Sequence, residues 1–409
     1  MKLIYTISII AYGLLIKFAS LFNKKAQFFV QGRKELLKRI KNSLQSETRP
    51  IAWFHFASLG EFEQGRPVLE KLKKERPELA IFMTFFSPSG YEIRKDYPEA
   101  DYIFYLPLDT PTNAKRFIEI VKPQLVFFTK YEYWYYYFSE LKKRRIPLYM
   151  ISAIFRKQQI FFRWYGGFNR SILTCVTHFF VQDKNSGHLL KSINFTNWTV
   201  SGDTRFDRVY ANSLNPKHFP VVEAFAENNQ IFIAGSTWPK DDELLIELIE
   251  KTSQGWKFII APHEIKEDKI LNLITKTSGI RYSELVNNIN SANAKVLIID
   301  NIGMLSSLYS YGDIAYIGGG FSKSGIHNTI EAAVFGMPVL FGPNYQKFKE
   351  AVELVEIGAA FPVSNTQAFK QVFQELTSPS KLKAASEKAA EYVKENTQAT
   401  TTIFEKLSN

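Results

Sequence analysis

The stretch of sequence that decides the fold runs from Asp313 to Pro343 and reads DIAYIGGGFSKSGIHNTIEAAVFGMPVLFGP. It opens with a short apolar run typical of a buried strand, and three glycines follow at once. A helical pattern begins near His327, and Gly336 and Pro338 end it before the next apolar run, Val339–Phe341. This order of strand, helix and strand predicts a βαβ unit with parallel strands.

The same alternation continues on both sides of this unit. In the first half of the chain, strands are predicted at Ile51–Phe56, Ala80–Thr84, Tyr102–Tyr105, Leu125–Thr129, Leu148–Ser152 and His178–Val181. In the second half they are predicted at Ile231–Ala234, Lys257–Ala261, Val296–Ile299, Ile314–Ile317 and Val339–Phe341. Helical patterns such as Phe161–Thr174 and His327–Phe335 lie between them. We therefore expect an α/β protein with two doubly wound, Rossmann-like domains that face a central cleft, where ligands bind beyond the carboxyl ends of strands.

A looser stretch, residues 208–229, separates the two runs of alternation. It carries Asn212, Asn215, Pro216 and Pro220, which are typical of a linker. The predicted domains are thus residues 26–207 and residues 230–409. Whether the last helix packs back on the first domain is left open.

Residues 1–25 are predicted to be a membrane anchor rather than part of the soluble fold. Leu3–Ile16 contains no charge, Lys17 interrupts the run, and residues 18–22 continue it. Because a full span needs about 20 apolar residues, a span, an in-plane anchor and a buried first helix all stay open. Lys24, Lys25 and Arg33 follow the apolar run, and positive charge there predicts a body on the cytoplasmic side.

Composition narrows the classes of partner. The chain has 51 Lys and Arg against 40 Asp and Glu, a formal net charge of +11. Such an excess favours anionic partners: nucleic acid, acidic lipid, or phosphorylated and carboxylated substrates. The single cysteine, Cys175, excludes a disulfide within the chain and a cysteine-rich metal site. A hydrophobic content of 45% excludes disordered and fibrous classes.

The glycine loop of the opening stretch is a candidate anion site. Free backbone N–H groups at a helix N-terminus attract phosphate, and glycine permits close approach. Glu331, one turn into the predicted helix, could accept hydrogen bonds from ribose hydroxyls. The alternative is a plain α/β turn that needs small residues for packing. Neither a Walker A loop nor a dinucleotide fingerprint is present.

The turn Ser58-Leu59-Gly60-Glu61 follows the first predicted strand. A carboxylate at the carboxyl end of a strand is well placed for acid–base chemistry, which makes Glu61 a catalytic candidate. The competing interpretation is helix capping, since Ser58 and Glu61 have the S-x-x-E spacing of a capping box. His55, inside the strand, is predicted to belong to the core.

Together these residues resemble the Kdo transferases, the 3-deoxy-D-manno-octulosonic acid transferases of lipopolysaccharide assembly. His55–Glu61 is similar to the family's H-A-x-S-V-G-E, and Gly202–Asp207 to its G-S-L-K-F-D. Further similar motifs lie at Thr84–Gly90, Tyr105–Asp109, Glu132–Trp134 and Gly318–Ala333. They follow the family's order over nearly the whole chain.

The resemblance implies a GT-B type fold, and an inverting, metal-independent enzyme anchored in the inner membrane with no cofactor. The implied donor is CMP-Kdo, and the implied acceptor is a lipid A precursor of the lipid IVA type. Glu61 inherits the role of catalytic base. Arg205 stands at the lysine of G-S-L-K-F-D and inherits transition-state stabilisation, and Glu132 and Lys130 join the catalytic set.

The implied binding residues fall into two sets. CMP binding is assigned to Pro262, His263, Gly303, Gly319, Gly320, Asn328 and Glu331, and acceptor binding to Ser58 and Gly60. Three positions depart from the family pattern. Pro262-His263 stands where the family has P-R-H, Met304 replaces a glutamate, and Lys130 replaces the first acid of E-T-E-L-W.

Two alternatives remain in view. One is another GT-B glycosyltransferase that uses a UDP-sugar, and the other is a basic nucleic-acid-binding protein, for which RNA-type aromatic motifs are absent from the sequence. The sequence contains no Asp-x-Asp motif, and Asp241-Asp242 is interpreted as an acid-rich helix start. No metal site is predicted.

Overall fold

The computed structural model describes residues 1–252, 255–287 and 294–408. The chain divides into two compact units. Unit 1 runs from Met1 to Asp207 and includes the last segment of the chain from Gln398, whereas unit 2 runs from Arg208 to Thr397.

Unit 1 is built on a parallel sheet of seven strands in the order β3-β2-β1-β4-β5-β6-β7. The strands are β1 Ile51–Phe56, β2 Ala80–Phe85, β3 Tyr102–Tyr105, β4 Pro123–Thr129, β5 Leu148–Ala153, β6 His178–Val181 and β7 Trp198–Val200. Side chains alternate between the two faces of a strand, and here both faces are buried. Trp53 joins the core on one face, while Phe54 joins the core on the other.

Helices cover both faces of this sheet. The helices of unit 1 are α1 Lys2–Ala19, α2 Lys24–Gly32, α3 Leu36–Ser43, α4 Leu59–Glu75, α5 Pro88–Arg94, α6 Pro111–Val121, α7 Tyr135–Lys143, α8 Gly167–Leu173 and α9 Lys184–Ser192. A tenth helix, α10 Thr204–Leu214, begins in unit 1 and continues into unit 2. Pro at the first turn of α5 and α6 fits helix starts, because that position needs no backbone donor. By length and composition, α1 is apolar enough to cross a membrane.

Unit 2 has a second parallel sheet of seven strands in the order β10-β11-β9-β8-β12-β13-β14. The strands are β8 Gln230–Thr237, β9 Trp256–Pro262, β10 Ile280–Arg281, β11 Val296–Ile298, β12 Ile314–Ile317, β13 Val339–Phe341 and β14 Ala360–Pro362. The helices are α11 Pro220–Ala226, α12 Pro239–Lys251, α13 Glu267–Thr277, α14 Tyr282–Asn287, α15 Leu305–Leu308, α16 Ile330–Ala333, α17 Lys349–Glu356, α18 Thr366–Leu376 and α19 Pro379–Glu395. The last helix, α20 Ala399–Ser408, belongs to unit 1.

The predicted fold class, two doubly wound α/β domains with an N-terminal apolar helix, is confirmed. Three local expectations are wrong. Residues 208–229, expected to be a loose linker, contain most of α10 and all of α11. The helix expected at Phe161–Thr174 is a short 3₁₀ turn, Ile160–Phe162, followed by α8. The helix expected from His327 begins only at Ile330.

Candidate functional site

The turn after β1 holds Glu61 in a way that a helix cap does not explain. Ser58 is the residue before α4, and Glu61 is the third residue of that helix. The Ser58 hydroxyl donates a hydrogen bond to the Glu61 carboxylate, and its oxygen accepts no capping hydrogen bond from a backbone N–H. The backbone alone starts the helix, through Phe62 N–H donating to the Ser58 carbonyl at 3.1 Å. The capping box proposed as the alternative is therefore not formed.

Cationic side chains lie near Glu61, as the phenol of Tyr131 reveals. Burial raises the pKa of Tyr131, and the charge of Glu61 raises it further. The charges of Arg156 and Arg205 oppose this increase. Glu61 follows β1, Tyr131 follows β4 and Arg205 follows β7, so all three lie beyond the carboxyl ends of parallel strands of one sheet. Acid and cation thus share one edge of the sheet.

Arg205 is held by an acid that sequence reasoning missed. Its Nε and Nη2 donate to Asp203 Oδ2 at 2.9 and 2.7 Å, and its backbone N–H donates to Asp203 Oδ1 at 3.0 Å. Burial acts to raise the pKa of Asp203, but the charge and hydrogen bonds of Arg205 bring it below its ordinary value. Asp203 stands where the family motif has serine. The signal that could have found it is the D-x-R spacing.

Lys130 turns its backbone sharply at the end of β4. Its φ is 60°, a left-handed value that is uncommon for a residue with a side chain and is often found at functional turns. Its backbone N–H donates to the Ile151 carbonyl at 3.1 Å. Its charge helps to lower the pKa of Asp203, so Lys130 belongs to the same cluster as Arg205.

Glu132 is held by a chain of hydrogen bonds that begins in the core. Its Oε2 accepts Trp134 Nε1–H at 2.8 Å and lies 3.4 Å from His55 Nε2. His55 is buried as predicted, and burial lowers its pKa, which keeps the ring neutral. Thr84 Oγ1 accepts the Trp53 indole proton at 2.8 Å and lies 2.9 Å from His55 Nδ1. The Thr84 hydroxyl donates to the Phe54 carbonyl at 3.4 Å, so its oxygen links the rings of Trp53 and His55 inside the core.

In unit 2, the glycine loop after β12 is shaped by close backbone packing. Gly319 has a φ of 93°, and a Cβ there would lie 2.6 Å from the Gly325 carbonyl oxygen. A Cβ on Gly320 would lie 2.5 Å from the Gly342 nitrogen. These contacts account for the glycines by packing alone.

The backbone donors of this loop are partly occupied. Gly318 N–H donates to the Gly235 carbonyl at 2.9 Å, and Gly319 N–H donates to Asp241 Oδ2 at 2.9 Å. The buried Asp241 also accepts from the Tyr316 hydroxyl at 2.6 Å. The expectation that free N–H groups of the loop face an anion is therefore wrong for Gly318 and Gly319. Asp241, predicted only as an acid at the start of α12, occupies that position and also fixes the loop.

The helix that follows the loop is too short to act as a dipole. It covers only Ile330–Ala333, with Thr329 before it. His327 lies in the irregular segment ahead of it, where its backbone N–H donates to the Gly318 carbonyl at 3.2 Å. A single turn does not sum enough peptide dipoles to stabilise a phosphate. The prediction of charge stabilisation by a helix opening near His327 is wrong.

Three aromatic rings stack at the carboxyl ends of β8 and β9. The Trp238 and His263 rings lie with centroids 4.7 Å apart, and the His263 and His327 rings 4.5 Å apart. Trp238 Nε1–H donates to His327 Nε2 at 3.1 Å. Burial and the charge of His263 lower the pKa of His327 to about 4, so its ring is neutral at pH 7 and carries its proton on Nδ1. The stack offers a flat surface on which a base or sugar could pack.

The structure brings Asn328 and Glu331, which the resemblance assigns to CMP binding, into contact with each other. Asn328 Nδ2 donates to Glu331 Oε1 at 2.9 Å. In the part of the chain that the structure describes, the buried Asn328 Oδ1 has no hydrogen-bond partner. Burial lowers the pKa of Arg208, whereas the charge of Glu331 raises it, so this arginine lies near the pair. Sequence reasoning missed Arg208.

The remaining predicted residues of unit 2 lie at strand ends and turns. Pro262 is the last residue of β9, and His263 N–H donates to the Thr237 carbonyl at 3.0 Å. Gly303 has a φ of 90° and open space around the position of a Cβ. Among residues 1–252, 255–287 and 294–408, no group of three or more His, Cys, Asp or Glu side chains could hold a metal ion.

Two doubly wound α/β units, one with a carboxylate and cations and the other with a glycine loop and an aromatic stack, have the GT-B type of fold. The fold is similar to that of UDP-GlcNAc 2-epimerase from Neisseria meningitidis. That similarity has a TM-score of 0.62 at 17% identity and covers 88% of this chain and all of the other.

Residues 31–208 match the family described as 3-Deoxy-D-manno-octulosonic-acid transferase (kdotransferase). The chain is 28% identical over 365 residues to the 3-deoxy-D-manno-octulosonic acid transferase of Aquifex aeolicus, covering 87% of this chain and 95% of that protein. It is 27% identical over 356 residues to the enzyme of the same name from Chlamydophila psittaci, covering 85% and 82%. The match to the Kdo transferase family thus covers the first half of the chain, and the similarity to proteins named as Kdo transferases extends over most of its length.

Proposed function

We propose that this enzyme transfers Kdo from CMP-Kdo to a lipid A precursor of the lipid IVA type, in lipopolysaccharide biosynthesis. The relatives from Aquifex aeolicus and Chlamydophila psittaci are named for Kdo transfer, and each is similar to this chain over most of both lengths. The observation that carries the proposal is the Glu61 turn. It matches the family motif, and its carboxylate is not used as a helix cap.

In the proposed reaction, Glu61 takes the proton from a sugar hydroxyl of the acceptor. The Ser58 hydroxyl binds one carboxylate oxygen and fixes its direction, while the acceptor's proton is taken by the other. The acceptor oxygen then attacks the anomeric carbon of Kdo from the face opposite the phosphate, and CMP leaves with the bonding electrons. Inversion at that carbon follows. Ser58 and Gly60 form the part of the acceptor site next to the base.

Cations near Glu61 are proposed to do the work of a metal ion. The guanidinium of Arg205 is planar and suits the carboxylate of Kdo or a phosphate oxygen. Asp203 fixes its orientation, and Lys130 adds positive charge to the same cluster. Pre-oriented charge lowers the barrier without a reorganisation cost. Glu132, held by His55 and Trp134, is the second carboxylate and is proposed to orient the acceptor.

CMP binding is proposed for the residues of unit 2. The Asn328–Glu331 pair offers oxygen atoms to ribose hydroxyls, and the rings of His263 and His327 form a flat wall. Pro262, Gly303, Gly319 and Gly320 complete the set. Because α16 has only four residues, side-chain cations rather than a helix dipole are proposed to neutralise the leaving phosphate.

The proposed location is the inner membrane, with α1 as the anchor and the body on the cytoplasmic side. The net charge of +11 suits an anionic donor and an anionic lipid acceptor.

The test is to incubate the full chain with CMP-Kdo and a tetra-acylated lipid A precursor, with and without EDTA, and to weigh the lipid product. The expected product is heavier by one or more Kdo units in both conditions. Transfer from a UDP-sugar and none from CMP-Kdo would support the UDP-sugar alternative instead. Turnover lost on chelation and restored by Mg²⁺ would contradict metal independence.

A further inference from the structure

The helix α1 has two different faces. Tyr5, Thr6, Ile9, Gly13 and Ile16 are half-buried and recur every three to four residues along one side. The large apolar side chains of the opposite side are exposed, namely Leu3, Ile4, Ile7, Ile10, Leu14, Leu15 and Phe18. Soluble proteins rarely expose a continuous apolar stripe of this length. The exposed side therefore needs a partner.

The half-buried side is docked on the body of unit 1. The Tyr5 hydroxyl donates to the buried Asp109 carboxylate at 2.5 Å, and the Thr6 hydroxyl lies 2.5 Å from that of Tyr136. Further along the helix, Tyr12 stacks on Phe86 with ring centroids 6.1 Å apart. These contacts extend over about 12 Å of the helix at roughly 1.5 Å per residue.

This lengthwise docking decides between the modes of membrane attachment left open by the sequence. A helix that crosses a bilayer has hydrocarbon around its whole middle section. Here the middle section contacts polar groups of a folded domain, including a buried carboxylate. The helix can instead lie parallel to the membrane surface with only its exposed side in lipid.

A second apolar feature lies beside α1. Trp164 is 90% exposed and Tyr165 is 57% exposed, in the loop that leads into α8. Phe168, in the first turn of α8, packs on Tyr5 with ring centroids 5.8 Å apart. The loop is therefore next to the N-terminal end of α1. Exposed Trp and Tyr are typical of membrane–water interfaces, where the ring is partly in lipid and the polar atom is in water.

The charges around these two features identify the partner. Residues 1–34 contain six Lys and Arg and no Asp or Glu, and residues 154–170 contain four Lys and Arg and no acid. Cations next to an apolar face favour an anionic lipid surface. A second copy of the chain on this face would place like charges together, which is unfavourable.

We propose that unit 1 binds the surface of an anionic bilayer through two contacts, α1 lying in the plane of the membrane and the Trp164–Tyr165 loop. Neither contact depends on the catalytic assignments of Glu61 or Arg205. The proposal concerns attachment alone, and it can be tested without any measurement of transfer.

The orientation of α1 is tested by the depth of spin labels in vesicles that contain phosphatidylglycerol. Leu3→Cys, Ile10→Cys and Phe18→Cys are made singly in a full-length Cys175→Ser chain. An in-plane helix places the three labels at similar shallow depths. A spanning helix would place the label at residue 10 about 10 Å deeper than those at the two ends, given about 1.5 Å of rise per residue, and that result would overturn the proposal.

The second contact is tested by flotation of the full chain with the same vesicles and with vesicles of phosphatidylcholine alone. Trp164→Ala is expected to weaken binding to the anionic vesicles by about tenfold, because a large ring no longer leaves water. Ile302→Ala is the matched control, since Ile302 is 91% exposed on unit 2 and is expected to change nothing. Equal binding by Trp164→Ala and wild type, or equal binding to both kinds of vesicle, would contradict the proposal.

Discussion

The hydrogen bond between Tyr5 and Asp109 gives a quantitative test of how α1 is held. Asp109 is buried, and burial raises its pKa to about 6, while the Tyr5 hydroxyl and the backbone N–H groups of Tyr136 and Tyr137 act to lower it. The pKa of an unfolded aspartate is about 3.9. The carboxyl group therefore stabilises the fold most below about pH 4, and this contribution is lost as the pH rises to about 6.

Replacing Tyr5 by Phe removes a donor that favours the charged carboxylate. At pH 8 the lost bond has a charged acceptor, worth about 1.5–3 kcal/mol, whereas at pH 5 Asp109 is mostly protonated and the loss is about 0.5–1.5 kcal/mol. Local opening around Asp109 should thus become roughly 10–150 times more frequent at pH 8, and about 2–10 times more frequent at pH 5. The same change should raise the pKa of Asp109 above its value of about 6.

Amide hydrogen exchange of the peptide 133–138, read by mass spectrometry, measures this opening directly. The backbone N–H groups of Tyr136 and Tyr137 donate to Asp109, and that of Tyr135 donates to the Tyr5 hydroxyl at 3.2 Å. Variant and wild type are compared at each pH, with Tyr12→Phe as the control, because that change keeps the ring contacts of Tyr12. Equal exchange in Tyr5→Phe and wild type at pH 8 would refute the docking of α1 on unit 1.

Two further predictions concern the proposed catalytic and nucleotide sites. In Asp203→Asn, the side-chain oxygen can still accept a hydrogen bond from the Arg205 backbone N–H, but the charge that orients the guanidinium is lost. The kcat for Kdo transfer should therefore fall by about tenfold, while the melting temperature changes little. An unchanged kcat would show that Asp203 does not position Arg205. Glu331→Ala should weaken CMP binding, measured by calorimetry, by about 1–3 kcal/mol, the usual loss for a hydrogen bond to a charged group. An unchanged affinity would show that the glycine loop and the Asn328–Glu331 pair have only a structural role.

The strands of both sheets could be predicted wherever the apolar run was long enough. All six strands expected in the first half and all five in the second half are present, and their ends are either the same as predicted or differ by one to three residues. Among the residues that the structure describes, the missed strands are β7, β10 and β14, each of two or three residues at the edge of a sheet. So short a segment takes its conformation from its neighbour in the sheet, and its own sequence carries little signal.

The helix expected from His327 illustrates tertiary structure overriding a local pattern. The sequence H-N-x-x-E-A-A has helical spacing, yet only Ile330–Ala333 is helical. The preceding segment is fixed by its bond from His327 N–H to the Gly318 carbonyl. Asn344 N–H also donates to the Gly320 carbonyl at 2.9 Å, which holds the loop in place. Residues far apart in sequence determine this conformation, and no local window contains them.

Some residues of the candidate site could be predicted from local motifs, and others could be found only in the structure. Motif similarity identified Glu61, Asn328 and Glu331, and the structure places the last two in contact. It did not identify Trp238, which is 89 positions from the histidine that its indole contacts. Nor did it identify the link from His55 to Glu132, which lies 77 positions away. Such partners depend on which strands are neighbours, so they become visible only when the sheet order is known.

The measurement that tests the central claim most directly is the kcat of Glu61→Gln for Kdo transfer, beside Ser58→Ala and wild type. The side-chain oxygen of glutamine can still accept a hydrogen bond from the Ser58 hydroxyl, so the melting temperature should stay close to that of wild type. It cannot take a proton from the acceptor at neutral pH, so kcat should fall by roughly 10²–10⁴. Ser58→Ala keeps the Glu61 carboxylate, so its kcat should fall much less than that of Glu61→Gln. A kcat for Glu61→Gln near that of wild type would contradict the account and would leave Glu132 as the next candidate for the base.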